Sequence, residues 1–108
     1  MPTTTTSDGV TIEHSVTGAG PPLVLVHGIT ETRATWDPLV PDLATDHTVV
    51  AIDMRGHGGS ALMPPYDAQV MADDVAAVVA HLGLEPPLVV GHSMGGIVAT
   101  AYAGAHPC

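Results

Sequence analysis

Basic residues are nearly absent from this sequence of 108 residues, which has two arginines and no lysine against 11 acidic residues. The formal net charge of −9 at pH 7 repels nucleic acid and anionic membrane surfaces. We therefore expect no nucleic acid and no membrane as a partner. The acidic surface would attract a cationic ligand, although a merely solvated surface is the plainer interpretation.

The sequence has a single cysteine and no recognisable targeting segment. The single cysteine, Cys108, excludes an intramolecular disulfide, so nothing in the sequence points to an oxidising compartment. The N-terminus lacks the basic and apolar regions of a signal peptide. No apolar run approaches the roughly 18 residues that a membrane span needs. These absences predict a soluble cytoplasmic chain.

Apolar residues, in contrast, make up 45% of the sequence, which is enough for the packed core of one domain. With one Trp, two Tyr and no Phe, this core must consist mainly of aliphatic side chains. We expect a polar N-terminal tail over residues 1–9 and a single domain over residues 10–108.

Short apolar runs alternate with helical patterns along this domain. Residues 10–18 alternate apolar and polar, as in a strand with one solvated face. Buried strands are predicted over residues 23–26, 47–53 and 87–90. The first of these is continuously apolar, which is typical of a strand covered on both faces. Apolar spacing predicts helices over residues 35–45, 67–82 and 94–106. This order predicts an α/β fold with a mostly parallel sheet and flanking helices.

A glycine-rich segment follows each of the three buried strands. The segments are HGIT from His27, DMRGHGGS from Asp53 and GHSMGG from Gly91. In parallel α/β sheets the carboxyl ends of the strands meet at one edge, and binding sites form there. The sequence therefore predicts a functional site at this edge.

The third segment contains Gly91, His92, Ser93, Met94 and Gly95, a Gly-x-Ser-x-Gly pattern between a strand and a helix. This arrangement predicts a nucleophile elbow, in which the two glycines permit a sharp turn that strains the serine and exposes its hydroxyl. The Met94 N–H would then face an oxyanion on a substrate carbonyl. A phosphate-binding turn at a helix N-terminus and a purely structural turn are the alternatives.

An oxyanion hole needs a second N–H donor, which in this motif comes from the loop after an earlier strand. Gly28 permits a close backbone approach in that loop, and the Ile29 N–H is the candidate donor. His27 is expected to support the loop and His92 the elbow. An ordinary turn at His27 and Gly28 remains the alternative.

The segments VHGIT, VVAIDMRGHGGS and VVGHSMGG, in this order and spacing, resemble the N-terminal half of an α/β-hydrolase fold enzyme. The resemblance implies Ser93 as nucleophile, Ile29 and Met94 as oxyanion donors, and adjacent strands ending at Asp53, His27 and Ser93. Dehalogenases and epoxide hydrolases of this family carry Asp at the position of Ser93. The resemblance therefore implies a small-molecule ester, lactone, thioester or similar acyl substrate.

The family orders its catalytic triad as serine, acid and histidine along the chain. After Ser93 the sequence has no Asp or Glu, and its one histidine, His106, follows a helix about 18 Å long. We therefore expect a partial domain that lacks the later strands, the lid and the triad acid and histidine, and that is inactive by itself. The alternative is a non-catalytic fragment that binds a ligand or needs a partner chain.

Three further expectations concern the surroundings of Ser93. His27 and Asp53 end neighbouring strands about 4.8 Å apart, so a makeshift relay from Ser93 through His27 to Asp53 is a hypothesis. The strand that ends at Ser93 is expected to be an open edge that invites self-association. No cofactor and no metal site are expected, because the histidines are scattered.

Overall fold

The computed structural model describes residues 3–28, 31–60, 67–84 and 86–105, which form a sheet flanked by helices. The strands are β1 (Thr3–Thr5), β2 (Thr11–Thr17), β3 (Pro22–Val26), β4 (Thr48–Ile52) and β5 (Leu88–Gly91). The helices are α1 (Val40–Leu43), α2 (Ala68–Leu82) and α3 (Met94–Ala105), and a short 3-10 helix (Arg33–Trp36) precedes α1.

The strand order is β1-β2-β4-β3-β5. Strand β3 pairs in parallel with β4 and β5, whereas β2 pairs antiparallel with β1 and β4. The predicted α/β class is confirmed, with a sheet that is mixed because the two N-terminal strands run antiparallel. The register aligns Val26 with both Ile52 and Gly91, so β4, β3 and β5 end side by side, as the sequence predicted.

Both faces of β3 and β4 are covered, which explains their apolar sequences. On one face, Val24 and Val26 belong to a core with buried residues of α2 and α3. On the other face, Leu23 and Leu25 pack with Trp36 of the 3-10 helix. Alternate side chains of β3 therefore anchor helices on opposite faces of the sheet.

The helix predicted over residues 35–45 is instead a 3-10 turn followed by the single turn α1. Pro38 and Pro41 explain the interruption, because proline supplies no N–H to a helical hydrogen bond. Helix α2 follows the prediction closely: the Asp67 carboxylate accepts the Val70 N–H at 2.9 Å, and Gly83 ends the helix at φ 66°. No helix in the described ranges combines the length and apolarity that a membrane span requires.

The N-terminal boundary of the domain lies before residue 10, which corrects the expectation of a tail over residues 1–9. Residues Thr3–Thr5 form β1 and pair with β2. The Thr4 side chain is buried, and its hydroxyl lies 3.0 Å from Nε2 of the buried His14. The run of threonines suits a strand because β-branched side chains pack well on a pleated surface.

Strand β5 lies at the edge of the sheet opposite β1, and in the described part of the chain no strand pairs with its outer side. Leu88 and Val90 of this strand remain 62% and 38% exposed, and Ile97 of α3 is 64% exposed. One face of β5 is therefore open, and the prediction that the strand over residues 87–90 is buried is wrong. The outer side of β5, the strand that precedes Ser93, is both unpaired and apolar in the described part of the chain.

Candidate active site

Ser93 lies between the end of β5 and the start of α3, at the carboxyl edge of the sheet. Its φ is 57°, the sole positive value for a non-glycine residue among those the structure describes. Such a left-handed conformation stores about 1–3 kcal/mol of strain and tends to occur at functional sites. The residue is exposed, so its hydroxyl is accessible at the tip of a strained turn, as a nucleophile elbow requires.

Close backbone contacts explain the glycines on either side of Ser93. A Cβ on Gly91 would overlap the Gly95 carbonyl, and a Cβ on Gly95 would overlap the carbonyl oxygens of Val26 and His27. The first turn of α3 therefore packs directly against the ends of β3 and β5. Only residues without side chains allow this approach, which aims the helix N-terminus at the site.

The N-terminus of α3 presents backbone donors next to Ser93. The N–H of Gly95 donates to the His92 carbonyl at 2.9 Å, and the N–H of Gly96 donates to the Ser93 carbonyl at 2.9 Å. The described residues hold no acceptor for the Met94 N–H, as expected for the first N–H of a helix. A free donor at this position can receive an oxyanion or another anion.

The loop after β3 is held by the buried His27. The Met54 N–H donates to its Nε2 at 3.0 Å, so Nδ1 carries the proton and donates to the Gly28 carbonyl at 2.7 Å. Burial, above all, lowers the pKa of His27 and so favours the neutral ring. Ile29, the candidate second oxyanion donor, lies outside the described residues, and its role stays a prediction.

Glu31 joins this loop to the elbow, a contact that the sequence analysis did not predict. Its Oε1 accepts the Gly28 N–H at 2.7 Å and lies 3.1 Å from Nδ1 of His92. The His92 side chain is 63% exposed, so its ring lies over the elbow and not inside it. The hydrogen bond from Gly28, followed by that from His92, lowers the pKa of Glu31. The sequence signal that could have predicted this contact is the separation of three residues between Gly28 and Glu31, which is typical of a turn.

Asp53, at the end of β4, organises the adjoining glycine-rich loop. Its carboxylate accepts N–H groups from Arg33 at 2.7 Å and Gly59 at 3.0 Å, and it forms an ion pair with the Arg33 guanidinium. The Ser60 hydroxyl donates to the Asp53 carbonyl at 2.5 Å. Asp53 thus fixes the loop after β4 to the 3-10 helix.

The relay from Ser93 through His27 to Asp53 is contradicted by this geometry. Both ring nitrogens of His27 bind backbone groups, and the Asp53 carboxylate is occupied by Arg33 and Gly59. Within residues 3–28, 31–60, 67–84 and 86–105, no side chain forms a hydrogen bond to the Ser93 hydroxyl. The same ranges contain no group of three His, Cys, Asp or Glu side chains that could hold a metal ion. His106 lies outside them.

A family model described as alpha/beta hydrolase fold matches residues 21–107 of the chain. The soluble epoxide hydrolase of Corynebacterium sp. (strain C12) is 40% identical over 97 residues, which are 89% of this chain and 34% of that protein. The non-heme haloperoxidase of Rhodococcus erythropolis is 41% identical over 108 residues, covering 98% of this chain and 39% of that one.

Solved structures of α/β hydrolases also superpose on this chain. A thermophilic esterase from Thermogutta terrifontis superposes with a TM-score of 0.88 at 35% identity, over 95% of this chain and 40% of that one. The chain thus spans between a third and two fifths of the length of these proteins. The resemblance found in the three motifs is confirmed, and the chain belongs to the α/β hydrolase fold family.

Proposed function

We propose that this chain carries the nucleophile of a serine hydrolase that cleaves an ester, lactone, thioester or similar acyl bond. The strained backbone of Ser93 at the junction of β5 and α3 is the observation that carries the proposal. A base takes the proton of the Ser93 hydroxyl as its oxygen attacks the carbonyl carbon of the substrate, and the same group passes that proton to the leaving group as it departs from the tetrahedral intermediate. Water then hydrolyses the acyl-enzyme and restores the serine.

Two backbone donors stabilise the tetrahedral intermediate in this proposal. The Met94 N–H begins α3 next to the nucleophile, and its lack of an acceptor among the described residues supports this role. The Ile29 N–H is the proposed second donor. Removing one oxyanion donor typically lowers kcat by about 10²- to 10³-fold, so these donors matter as much as the nucleophile's position.

The serine at the elbow supports acyl chemistry over epoxide hydrolase and dehalogenase chemistry. The relatives of this chain include proteins named as an epoxide hydrolase and a haloperoxidase, and lyase and cofactor-free peroxidase chemistry on the same serine scaffold remain alternatives. The resemblance to the family implies a carboxylate at the position of Ser93 in its epoxide hydrolases and dehalogenases. A hydroxyl suits attack on a carbonyl, with the charge developing on the carbonyl oxygen next to the helix N-terminus.

A serine hydroxyl needs a base, and none of the described side chains supplies one. In the family order, the triad acid and histidine follow the serine along the chain. We propose that both come from outside the described residues, from the remainder of a longer protein or from a partner chain. Without such a base, about 10³- to 10⁴-fold catalysis over water remains from the oxyanion hole and binding.

A non-catalytic role is the second candidate function. The unassisted Ser93 hydroxyl and the open edge of β5, with Leu88 exposed, both favour it. In this case the chain binds a ligand at the strand ends or pairs with another chain that completes the sheet.

Active-site labelling separates the two candidates. The protein from its natural source is incubated with a fluorophosphonate, and intact mass spectrometry then counts the adducts. We expect one adduct, mapped to Ser93 by peptide analysis and lost in Ser93→Ala, whereas the exposed control Ser7→Ala still reacts. A mass well above 11.0 kDa in the same spectrum would reveal the additional residues that activate Ser93. An unlabelled protein would favour the non-catalytic candidate.

A further inference from the structure

Gly28 and Glu31, which lie shortly after β3, are joined by two hydrogen bonds. The Glu31 N–H donates to the Gly28 carbonyl at 3.2 Å, while the Gly28 N–H donates to Glu31 Oε1 at 2.7 Å. The Gly28 carbonyl also accepts a hydrogen bond from the His27 ring. Both polar backbone groups of Gly28 are therefore held by the protein, and neither is free to contact a substrate.

The same carboxylate oxygen reaches the elbow. Glu31 Oε1 lies 3.1 Å from Nδ1 of His92, the residue before the nucleophile. A Cβ on Gly28 would lie 2.7 Å from Glu31 Oε1 and 3.1 Å from the His92 carbonyl. The loop and the elbow are thus in direct contact at Gly28, and Glu31 is the side chain that binds both.

We propose that Glu31 is a positioning residue, whose carboxylate holds Gly28, just after β3, at a set distance from His92 in the Ser93 elbow. This inference rests on the proposed function, because the loop and the helix start carry the two proposed oxyanion donors. The donors belong to separate elements, and an oxyanion hole works only when both lie within about 3 Å of one oxygen. Glu31 fixes the separation between Gly28, the residue before Ile29 in the chain, and His92 before the substrate arrives.

A carboxylate suits this task because one oxygen accepts two hydrogen bonds at once. Bonds to an ionised acceptor are shorter and stronger than neutral ones. The Glu31 side chain is 28% exposed, so it lies at the rim of the site without forming part of the core. Its removal should therefore loosen the loop and leave the fold intact.

Labelling rates test the inference. We measure the second-order rate constant for fluorophosphonate labelling of Ser93 in Glu31→Ala, Glu31→Gln and the exposed control Asp37→Ala. Misplaced catalytic groups lower rates by about 10- to 100-fold, and we expect a loss in this range for Glu31→Ala. Glu31→Gln should recover much of the rate, because its amide oxygen still accepts the Gly28 N–H. Asp37→Ala should react like the wild type.

A double-mutant cycle identifies His92 as the partner. If the two side chains act as one unit, His92→Ala lowers the rate, and Glu31→Ala with His92→Ala falls no further than Glu31→Ala alone. Independent, multiplicative losses would overturn the link between loop and elbow.

NMR of the Gly28 amide tests the contact without any chemistry at Ser93. Its proton shift should follow the ionisation of Glu31, at a pH below the usual glutamate range, and should stop titrating in Glu31→Ala and Glu31→Gln. A Gly28 amide that does not titrate in the wild type overturns the inference. So does a Glu31→Ala protein that is labelled at the wild-type rate. Absence of labelling in the wild type itself would defeat the proposed function, and the positioning role with it, whatever the Gly28 signal shows.

Discussion

At the scale of the residue, Ser93 depends on neighbours that have no side chains. Its φ of 57° is unfavourable for a residue with a Cβ, and the surrounding packing must hold it there. That packing is backbone against backbone, because Gly95 lies on the carbonyls that end β3. The strain at Ser93 is therefore maintained by the contact between α3 and the sheet.

A methyl group at Gly95 should disrupt this contact. In Gly95→Ala the new Cβ would overlap the Val26 carbonyl, which is part of the central strand and cannot move aside. Overpacking of this kind lowers the free energy of unfolding by about 1–3 kcal/mol, and we expect a loss of about 3 kcal/mol in urea unfolding. Ser93 labelling should fall in the same variant.

Gly104→Ala is the matched control, because Gly104 lies in the same helix and has no atom within 4 Å of its would-be Cβ. It should leave the protein as stable or raise the free energy of unfolding by up to about 1 kcal/mol, since alanine favours helix over glycine. Equal effects of the two substitutions would contradict the packing argument.

At the scale of the element, α2 holds the loop after β4 through a buried ion pair. The Arg55 side chain is 1% exposed and donates to both Asp74 oxygens, at 2.6 and 2.7 Å. It also pairs with Asp8 at 3.2 Å, in the turn between β1 and β2. The Asp74 hydrogen bonds raise the pKa of Arg55, which therefore remains charged. One arginine thus connects a helix, a loop and the N-terminal hairpin.

Replacing Asp74, the member of the pair in α2, should show how much the pair contributes to the free energy of unfolding. Asp74→Ala removes the carboxylate that accepts the two shortest hydrogen bonds of the buried Arg55 guanidinium, and losing one member of a buried pair lowers the free energy of unfolding by about 3–5 kcal/mol. We expect about 3 kcal/mol in urea unfolding, because Asp8 still compensates part of the charge. Asp73→Ala, one residue away on the exposed face of α2, should change stability by less than about 1 kcal/mol. Similar losses would show that the pair adds little.

The elements differ in how far the sequence alone could predict them. Helix α2 was recognisable because its apolar stripe, the Asp67 cap and Gly83 are local features. The interrupted segment around Pro38 was harder, since apolar spacing favoured a helix that the prolines prevent. Strand β1 was missed because its pairing partner, β2, lies elsewhere in the chain and threonine is polar by composition.

At the scale of the whole molecule, the sheet has one open side. Strand β5 pairs with β3 alone among the described residues, and its outer edge carries exposed apolar side chains. Unpaired strand edges are templates for pairing with other chains. The carboxyl edge of the sheet, which carries the candidate site, and this open side meet at Gly91, so whatever covers β5 also borders the candidate site.

The chain of 108 residues, produced by itself, should therefore self-associate through β5. We expect analytical ultracentrifugation to give an average mass above 11.0 kDa that rises with concentration. Leu88→Lys and Val90→Lys should shift the protein towards the monomer, because charged side chains at a strand edge oppose pairing. Leu39→Lys, an exposed apolar residue away from β5 and 51% accessible, is the control and should change nothing. A monomer at all concentrations would contradict the prediction.

The sequence by itself determined the fold class and the positions of the glycines, because these depend on local periodicity and on motifs contiguous in the chain. The neighbouring positions of the strands that end at Asp53, His27 and Ser93 followed from the resemblance of those motifs to the α/β hydrolases. Only the tertiary structure decided which polar groups meet. The contacts of Glu31 with Gly28 and His92, and of Arg55 with Asp8 and Asp74, join residues from different elements. Such pairings depend on how strands and helices pack in three dimensions, and side-chain chemistry at a single position does not reveal them.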